Sequence, residues 1–157
     1  MPVTSPIHSP RGQFTLLREQ EFPRPLEEVF EFFGDYRNLE RITPPWLKFQ
    51  ITRASSPVMR KGMTIDYRLK LRGLPVRWKT LISHWEPPFS FVDEQMMGPY
   101  RVWIHRHEFE PTENGTLVRD RIDYSIPGGW LIERFFVRKD LEKIFDYRAE
   151  QLEQILG

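Results

Sequence analysis

The chain of 157 residues carries 23 Lys and Arg against 22 Asp and Glu, a formal net charge of +1, so no global field draws nucleic acid or an anionic surface to it. Hydrophobic residues make up 39% and charged residues 29%, a soluble mix that suits one domain with a sizeable core. The absence of cysteine excludes disulfides, thiol chemistry and cysteine-bound zinc, and fits a reducing, cytoplasmic setting.

Residues 1–13 hold three prolines and two serines and lack the apolar run of a leader. They read as a flexible N-terminal arm, with a single domain over 14–157. Phe14 to Phe22 reads as a first strand. Pro25 suits the first turn of a helix, and Leu26, Val29, Phe30 and Phe33 follow at helical spacing before Gly34. A second short helix, Asp35 to Ile42, stops before Pro44-Pro45. From there the signal is strand after strand: Leu47 to Ala54, Met63 to Leu71, Val76 to Trp85, Phe89 to Met97, a Trp/His strand around 102–110, and Gly115 to Ile126. Met63, Ile65, Tyr67, Leu69 and Leu71 alternate with polar residues, giving one buried and one wet face. Turns are expected at Gly73–Pro75 and at Glu113-Asn114-Gly115. Pro127-Gly128-Gly129 precedes a long helix, Trp130 to Leu156, whose inward stripe is Leu141, Ile144, Phe145, Leu152 and Ile155. Helices segregated from about six to seven antiparallel strands define an α+β domain. No stretch approaches the ~18 apolar residues of a membrane span, so stable membrane insertion is not expected.

The unusual segment is Trp103-x-His105-x-His107-x-Phe109. Alternate residues of a strand share a face, so two imidazoles stand in line with two aromatics. Pairing Pro111 with Thr116 around the hairpin sets Phe109 opposite Val118, His107 opposite Asp120, His105 opposite Ile122 and Trp103 opposite Tyr124. The apolar pattern of the last strand agrees with that register. A three-residue turn at Gly98–Tyr100 sets Gln95 opposite Trp103, Asp93 opposite His105 and Phe91 opposite His107. Each histidine then gains a carboxylate neighbour: His107 with Asp120, His105 with Asp93. Arg148 falls in the middle of the helix's apolar stripe, four after Ile144 and four before Leu152, and must snorkel or find a partner.

Such paired polar residues admit two readings, a structural pair that fixes the register or a contact to ligand. For Arg148 a structural salt bridge to Asp93 or Asp120 stands beside an anionic ligand group. Trp78 and Trp85 read as core or rim, and His84 as an edge histidine. His105-x-His107 supplies two metal ligands and needs a third, for which only carboxylates such as Asp93 or Asp120 are at hand, so no metal or cofactor is expected. There is no phosphate loop, nucleophile elbow or HExxH. The aromatics share the presumed core face, which argues against nucleic-acid stacking.

The chain resembles the START / polyketide-cyclase / birch-pollen-allergen-like superfamily, often labelled SRPBCC. The element order matches from Phe14 to Leu156. Closer likeness to a bacterial subgroup of stand-alone ligand-binding-like domains is carried by Thr43-Pro44-Pro45-Trp46, Phe91-Val92-Asp93-Glu94-Gln95, Gly98-Pro99-Tyr100, the Trp103–Phe109 alternation, Gly115-Thr116, Asp120, Tyr124 and Phe145-Asp146-Tyr147-Arg148. The resemblance implies a helix-grip fold, a curved antiparallel sheet wrapped round the C-terminal helix, with a cavity between them for lipids, sterols, hormones or polyketides. On this reading a hydrophobic or amphipathic small molecule meets Tyr67, Phe91, Asp93, Gln95, Trp103, His105, His107, Asp120, Tyr124 and Arg148. The alternatives are a cyclase, dehydratase or hydrolase using His105 or His107 as general acid/base with Asp93 or Asp120 orienting it, and a regulatory domain with a vestigial pocket. A homodimer stays open.

Overall fold

The computed structural model describes the backbone of Val3–His8 and the whole of residues 13–157. Among the described residues, eight strands form one antiparallel sheet: β1 (Val3–His8), β2 (Phe14–Phe22), β3 (Gln50–Ala54), β4 (Thr64–Leu71), β5 (Leu74–Glu86), β6 (Ser90–Met97), β7 (Val102–Thr112) and β8 (Gly115–Ser125). Their order is β1-β2-β8-β7-β6-β5-β4-β3. β3 to β8 therefore form a meander of sequential neighbours, and β2 closes onto the last strand. Two short helices, α1 (Leu26–Phe33) and α2 (Leu39–Ile42), carry the chain from β2 to the far edge. α1 turns Leu26, Val29, Phe30 and Phe33 inward, the residues its spacing singled out. A continuous helical run closes the chain: α3 (Gly129–Ile132), a π-helical turn (Glu133–Val137) and α4 (Arg138–Leu156). This is the helix-grip α+β architecture.

Three expectations shift. The segment read as a flexible arm contains β1, paired antiparallel to β2 from Val3↔Arg18 to His8↔Phe14. Without it β2 would leave a row of open backbone groups, which extended backbone of almost any sequence can fill. The register slips between Thr4 and Ile7, around Pro6, whose missing N–H is tolerated at an edge. The expected strand from Leu47 is cut short, because Pro45–Leu47 turn as a 3-10 helix and Lys48 takes a left-handed conformation (φ 50°) before β3. The β4–β5 turn is Arg72-Gly73, both at positive φ, so Pro75 lies within β5 opposite Lys70.

Gly115 has a packing reason rather than a turn reason. The hairpin turn is Glu113-Asn114, with Thr112 paired to Gly115. A Cβ on Gly115 would stand 1.9 Å from the Phe22 carbonyl oxygen, so only glycine lets β2 end against β8 here.

The apolar core falls into three groups that ring one polar spot. One gathers α1 with Ile65, Ile82, Phe91, Phe109 and the end of α4. A second joins Phe14, Leu16, Ile122, Tyr124, Leu141 and Phe145. The third is Leu47, Leu69 and Trp78. Asp93, His105, His107 and Asp120 lie between them on the inner sheet face.

Candidate functional site

The registers that position the site follow the sequence closely. β7 and β8 pair Trp103↔Tyr124, His105↔Ile122, His107↔Asp120 and Phe109↔Val118. β6 and β7 pair Phe91↔His107 and Asp93↔His105, and that pairing reaches Glu94↔Ile104. Hairpin length and the buried alternation of β7 and β8 leave little freedom in the register between them.

The hydrogen bonds run along the diagonals instead of between opposed residues. His105 Nε2 donates to Asp120 Oδ1 at 2.7 Å, and His107 Nε2 donates to Asp93 Oδ2 at 2.6 Å. The opposed contacts are longer: His105 Nδ1 to Asp93 is 3.8 Å and His107 Nδ1 to Asp120 is 3.4 Å. Ring stacking decides this. His107 lies on Phe91 (centroids 4.1 Å, planes 15° apart), and His105 lies on His107 (3.7 Å, 26°). With the rings stacked face to face, their nitrogens reach sideways to the next pair along the strands. Trp103 and Phe145 pack edge-on against His105 and finish the column.

Arg148 of α4 enters from above. Its guanidinium lies 5.6 Å from the ring centres of both Phe33 and Phe145 and 3.9 Å from Asp120 Oδ1. Among the described residues, His107 Nδ1 and Arg148 Nε are buried without a hydrogen-bond partner.

These neighbours set the charges. Burial alone would raise the Asp120 carboxyl, but its bond to His105, the adjacent His107 and the charge of Arg148 hold it well below the usual carboxylate range. Asp93 is also lowered: burial opposes this, and the nearby imidazoles and Arg148 prevail. Burial and the adjacent His107 push His105 down. For His107 burial works the same way, but the two carboxylates outweigh it and its pKa rises. Two lowered carboxylates thus face Arg148 and the stacked imidazoles, of which His107 holds a proton more readily than His105.

A cavity of about 190 Å³ opens between the sheet and the helix. Tyr67, Phe91, Asp93, Trp103, His105, His107 and Arg148 line it, as the sequence suggested. Its polar edge is uneven. The imidazole side chains keep 5% exposure, against 18% for Asp93 and 12% for Arg148, so the rings are the more deeply buried members of this edge. Burial and the charge of Asp93 raise the Tyr67 phenol, which is neutral and hydrogen-bonded to Thr80 Oγ1.

Three expected cavity residues lie elsewhere. Gln95 braces the β6–β7 turn: its Nε2 donates to the Tyr100 carbonyl at 2.6 Å, and its Oε1 accepts from the Tyr100 N–H at 3.0 Å. Tyr124 is fully buried behind Trp103, and its hydroxyl donates to Glu133 Oε1 at 2.8 Å. Asp120 faces a second, more polar opening of about 300 Å³ that it shares with Arg18, Asp146 and Arg148. Arg148 and Phe145 border both spaces and form the partition. In the sequence each of the three occupies an inward position. Alternation gives the face of a residue but not its depth behind its neighbours.

The cavity also takes Trp78, Thr80, Tyr100 and Ile144, which the sequence reading gave to the core or left without a role. Trp78, Thr80 and Ile82 alternate along β5 beside Tyr67 of β4, a signal that could have placed them. Trp78 Nε1 donates to Thr80 Oγ1 at 3.0 Å, which holds the indole against the cavity wall.

Donor atoms of Asp93, His105 and His107 lie within 4.8 Å of one another, near enough to raise the question of a cation. The lone pairs of an imidazole lie in its ring plane, and two planes 26° apart at 3.7 Å do not converge on one nearby point. The arrangement fits a hydrogen-bonded stack better than a ligand set.

The fold, with a cavity lined by aromatic and aliphatic side chains between sheet and helix, is that of a ligand-binding class of α+β domain. Residues 22–153 match the family model for polyketide cyclase / dehydrase and lipid transport proteins, and the chain belongs to that family. Similar solved structures include protein Ms6760 of Mycobacterium smegmatis (18% identity, 99% of this chain and 98% of that one, TM-score 0.67). Another is ginseng major latex-like protein 151 of Panax ginseng (13%, 92% and 98%, TM-score 0.69). A START superfamily protein from Mycobacterium smegmatis is a third (14%, 90% and 96%, TM-score 0.68). At these identities the likeness establishes the fold alone. No curated protein matches the sequence.

Proposed function

We propose that this protein binds an amphipathic small molecule, of lipid, polyketide or isoprenoid type, with its apolar body against the aromatic wall and its polar end at Asp93 and Arg148. One observation carries this reading: the cavity lining is mainly aromatic and aliphatic, and Asp93, His105, His107 and Arg148 converge in it, with Asp35, Asn38, Thr43 and Thr80 as its other polar members. The family's description as polyketide cyclase / dehydrase and lipid transport supports it. The cysteine-free composition supports a cytoplasmic setting.

The test is extraction and mass spectrometry of small molecules retained by the purified protein, followed by titration of the identified compound. Wild type is expected to retain it, and Asp93→Ala to bind it about tenfold or more weakly, since a buried charged hydrogen bond contributes ~1.5–3 kcal/mol. Equal retention by wild type and a variant with the cavity blocked, Tyr67→Trp with Ile144→Trp, would sink the reading.

A second reading rests on the His107–Asp93 bond. Asp93 links the buried His107 ring to the cavity and would relay a proton from that ring to a bound carbonyl or hydroxyl. Incubation of the bound compound separates the two readings. Chemical change that is lost in His107→Gln supports cyclase or dehydratase chemistry, and an unaltered compound supports a carrier.

A further inference from the structure

We propose that the start of the C-terminal helix docks peripherally on a lipid bilayer containing anionic headgroups. Trp130, Leu131, Ile132, Phe135 and Phe136 fall within seven residues and are each 42–56% exposed. A surface helix normally shows apolar residues on one face only. This one has an inward face as well. Glu133 is wholly buried, with its carboxylate held by the Tyr124 hydroxyl and by Arg138 at 3.2 Å, and Leu141 further along the helix is buried in the core. The π-helical turn over Glu133–Val137 fits an additional residue into this turn, and Phe135 and Phe136 stand outward while Glu133 stays inside. The five large side chains therefore belong to neither the core nor the cavity, and contiguous exposed patches of this kind mark interaction surfaces.

Charge indicates which surface. The acids of this stretch are occupied: Glu133 as described, and Asp140 by a two-pronged bond from Arg72 at 2.9 Å. Arg72 also lies over the Phe136 ring, 4.9 Å from its centre. Arg134 and Lys139 are exposed, and among the described residues neither forms an ion pair. A tryptophan at the helix start, bulky apolar residues and unpaired cations are what an interfacial helix offers to an anionic membrane. A second copy of the chain fits less well, because a two-fold contact sets the patch against itself and brings the same cations together. Among the described residues no helix is long and apolar enough to cross a membrane, so the contact is superficial. The patch also adjoins the cavity. Leu71 and Leu141 line the cavity and flank Arg72 and Asp140, the pair that clasps this surface. A docked molecule would hold that end of the cavity against the bilayer.

The test uses the full chain with phosphatidylcholine vesicles, with and without phosphatidylserine, in a flotation assay at low and high salt. Wild type should float with the phosphatidylserine vesicles and lose much of that binding at high salt. Phe135→Ser with Phe136→Ser should reduce it about tenfold or more at an unchanged circular dichroism spectrum. Arg134→Glu with Lys139→Glu should remove about tenfold of the preference for phosphatidylserine while leaving residual binding. Absence of flotation at both compositions, or flotation unaffected by the serine pair, overturns the proposal. So does a dimer in analytical ultracentrifugation that the serine pair abolishes while vesicles go unbound, since the patch would then cover a second copy. None of these readouts depends on which molecule fills the cavity.

Discussion

The polar column of β7 and the start of the C-terminal helix break the same rule in opposite directions. In the first, charged groups sit inside an apolar sheet face; in the second, large apolar groups sit in water. The column is mostly paired within the chain, because each short hydrogen bond joins an imidazole to a carboxylate and Arg148 lies beside Asp120, with only His107 Nδ1 and Arg148 Nε of its atoms unpartnered among the described residues. Among the described residues, the rings of the helix start have no such partner beyond Arg72 over Phe136. The contrast separates what an exception does for the fold from what it does for function. The satisfied exception contributes to stability and should be sensitive to change. The unsatisfied one should tolerate change in isolation and respond only when something covers it.

Asp120→Ala should have the largest effect. It leaves His105 without its acceptor and Arg148 without its nearest carboxylate, and breaking a buried ionic contact from one side costs about 3–5 kcal/mol. Urea denaturation measures it, and a loss below about 1 kcal/mol would show that the column is not the structural spine described. Gly115→Ala comes next at about 1–3 kcal/mol, because the added methyl meets the Phe22 carbonyl oxygen and the β2–β8 junction must move. A variant as stable as wild type would mean that this close approach relaxes freely.

The pH dependence of stability sharpens the comparison further. The lowered carboxyls of Asp93 and Asp120 contribute fully above their unfolded value of about 4 and lose that contribution as the pH falls through the lower folded value. His107 is raised, so its contribution is complete below about 6.5 and is lost as the pH rises through the higher folded value. The melting-temperature gap between wild type and His107→Gln should therefore narrow from pH 6 upward. A gap that widens over that range would reverse the assignment of the protonated ring to His107. The smallest effect belongs to the helix start. Phe135→Ser with Phe136→Ser, made at exposed positions, should change folding stability by only about 0.5 kcal/mol per site in the absence of lipid.

Much of the site could be read from the sequence because strand geometry is restrictive. Alternation fixed which residues of β7 and β8 face inward, and the Glu113-Asn114 turn fixed their register, so His107 opposite Asp120 followed from counting. The same arithmetic paired Asp93 with His105. Counting could not choose between opposed and diagonal hydrogen bonds, since that depends on how the rings stack. It also could not separate Asp93, which reaches the cavity, from Asp120, which lies behind the column. Gln95 and Tyr124 share the inward parity but spend their polar atoms on a turn and on Glu133.

The sequence by itself determined the α+β class, the β7–β8 register, the pairing of Phe91 and Asp93 with His107 and His105, and the position of Arg148 on the inner face of the helix, all of which follow from short-range periodicity along the chain. The tertiary structure decided the depth and orientation of each polar group, the addition of β1 to the sheet edge, and the outward turn of Phe135 and Phe136. These depend on contacts between residues far apart in sequence, where packing and the pairing of buried charge select among arrangements that local pattern leaves equal.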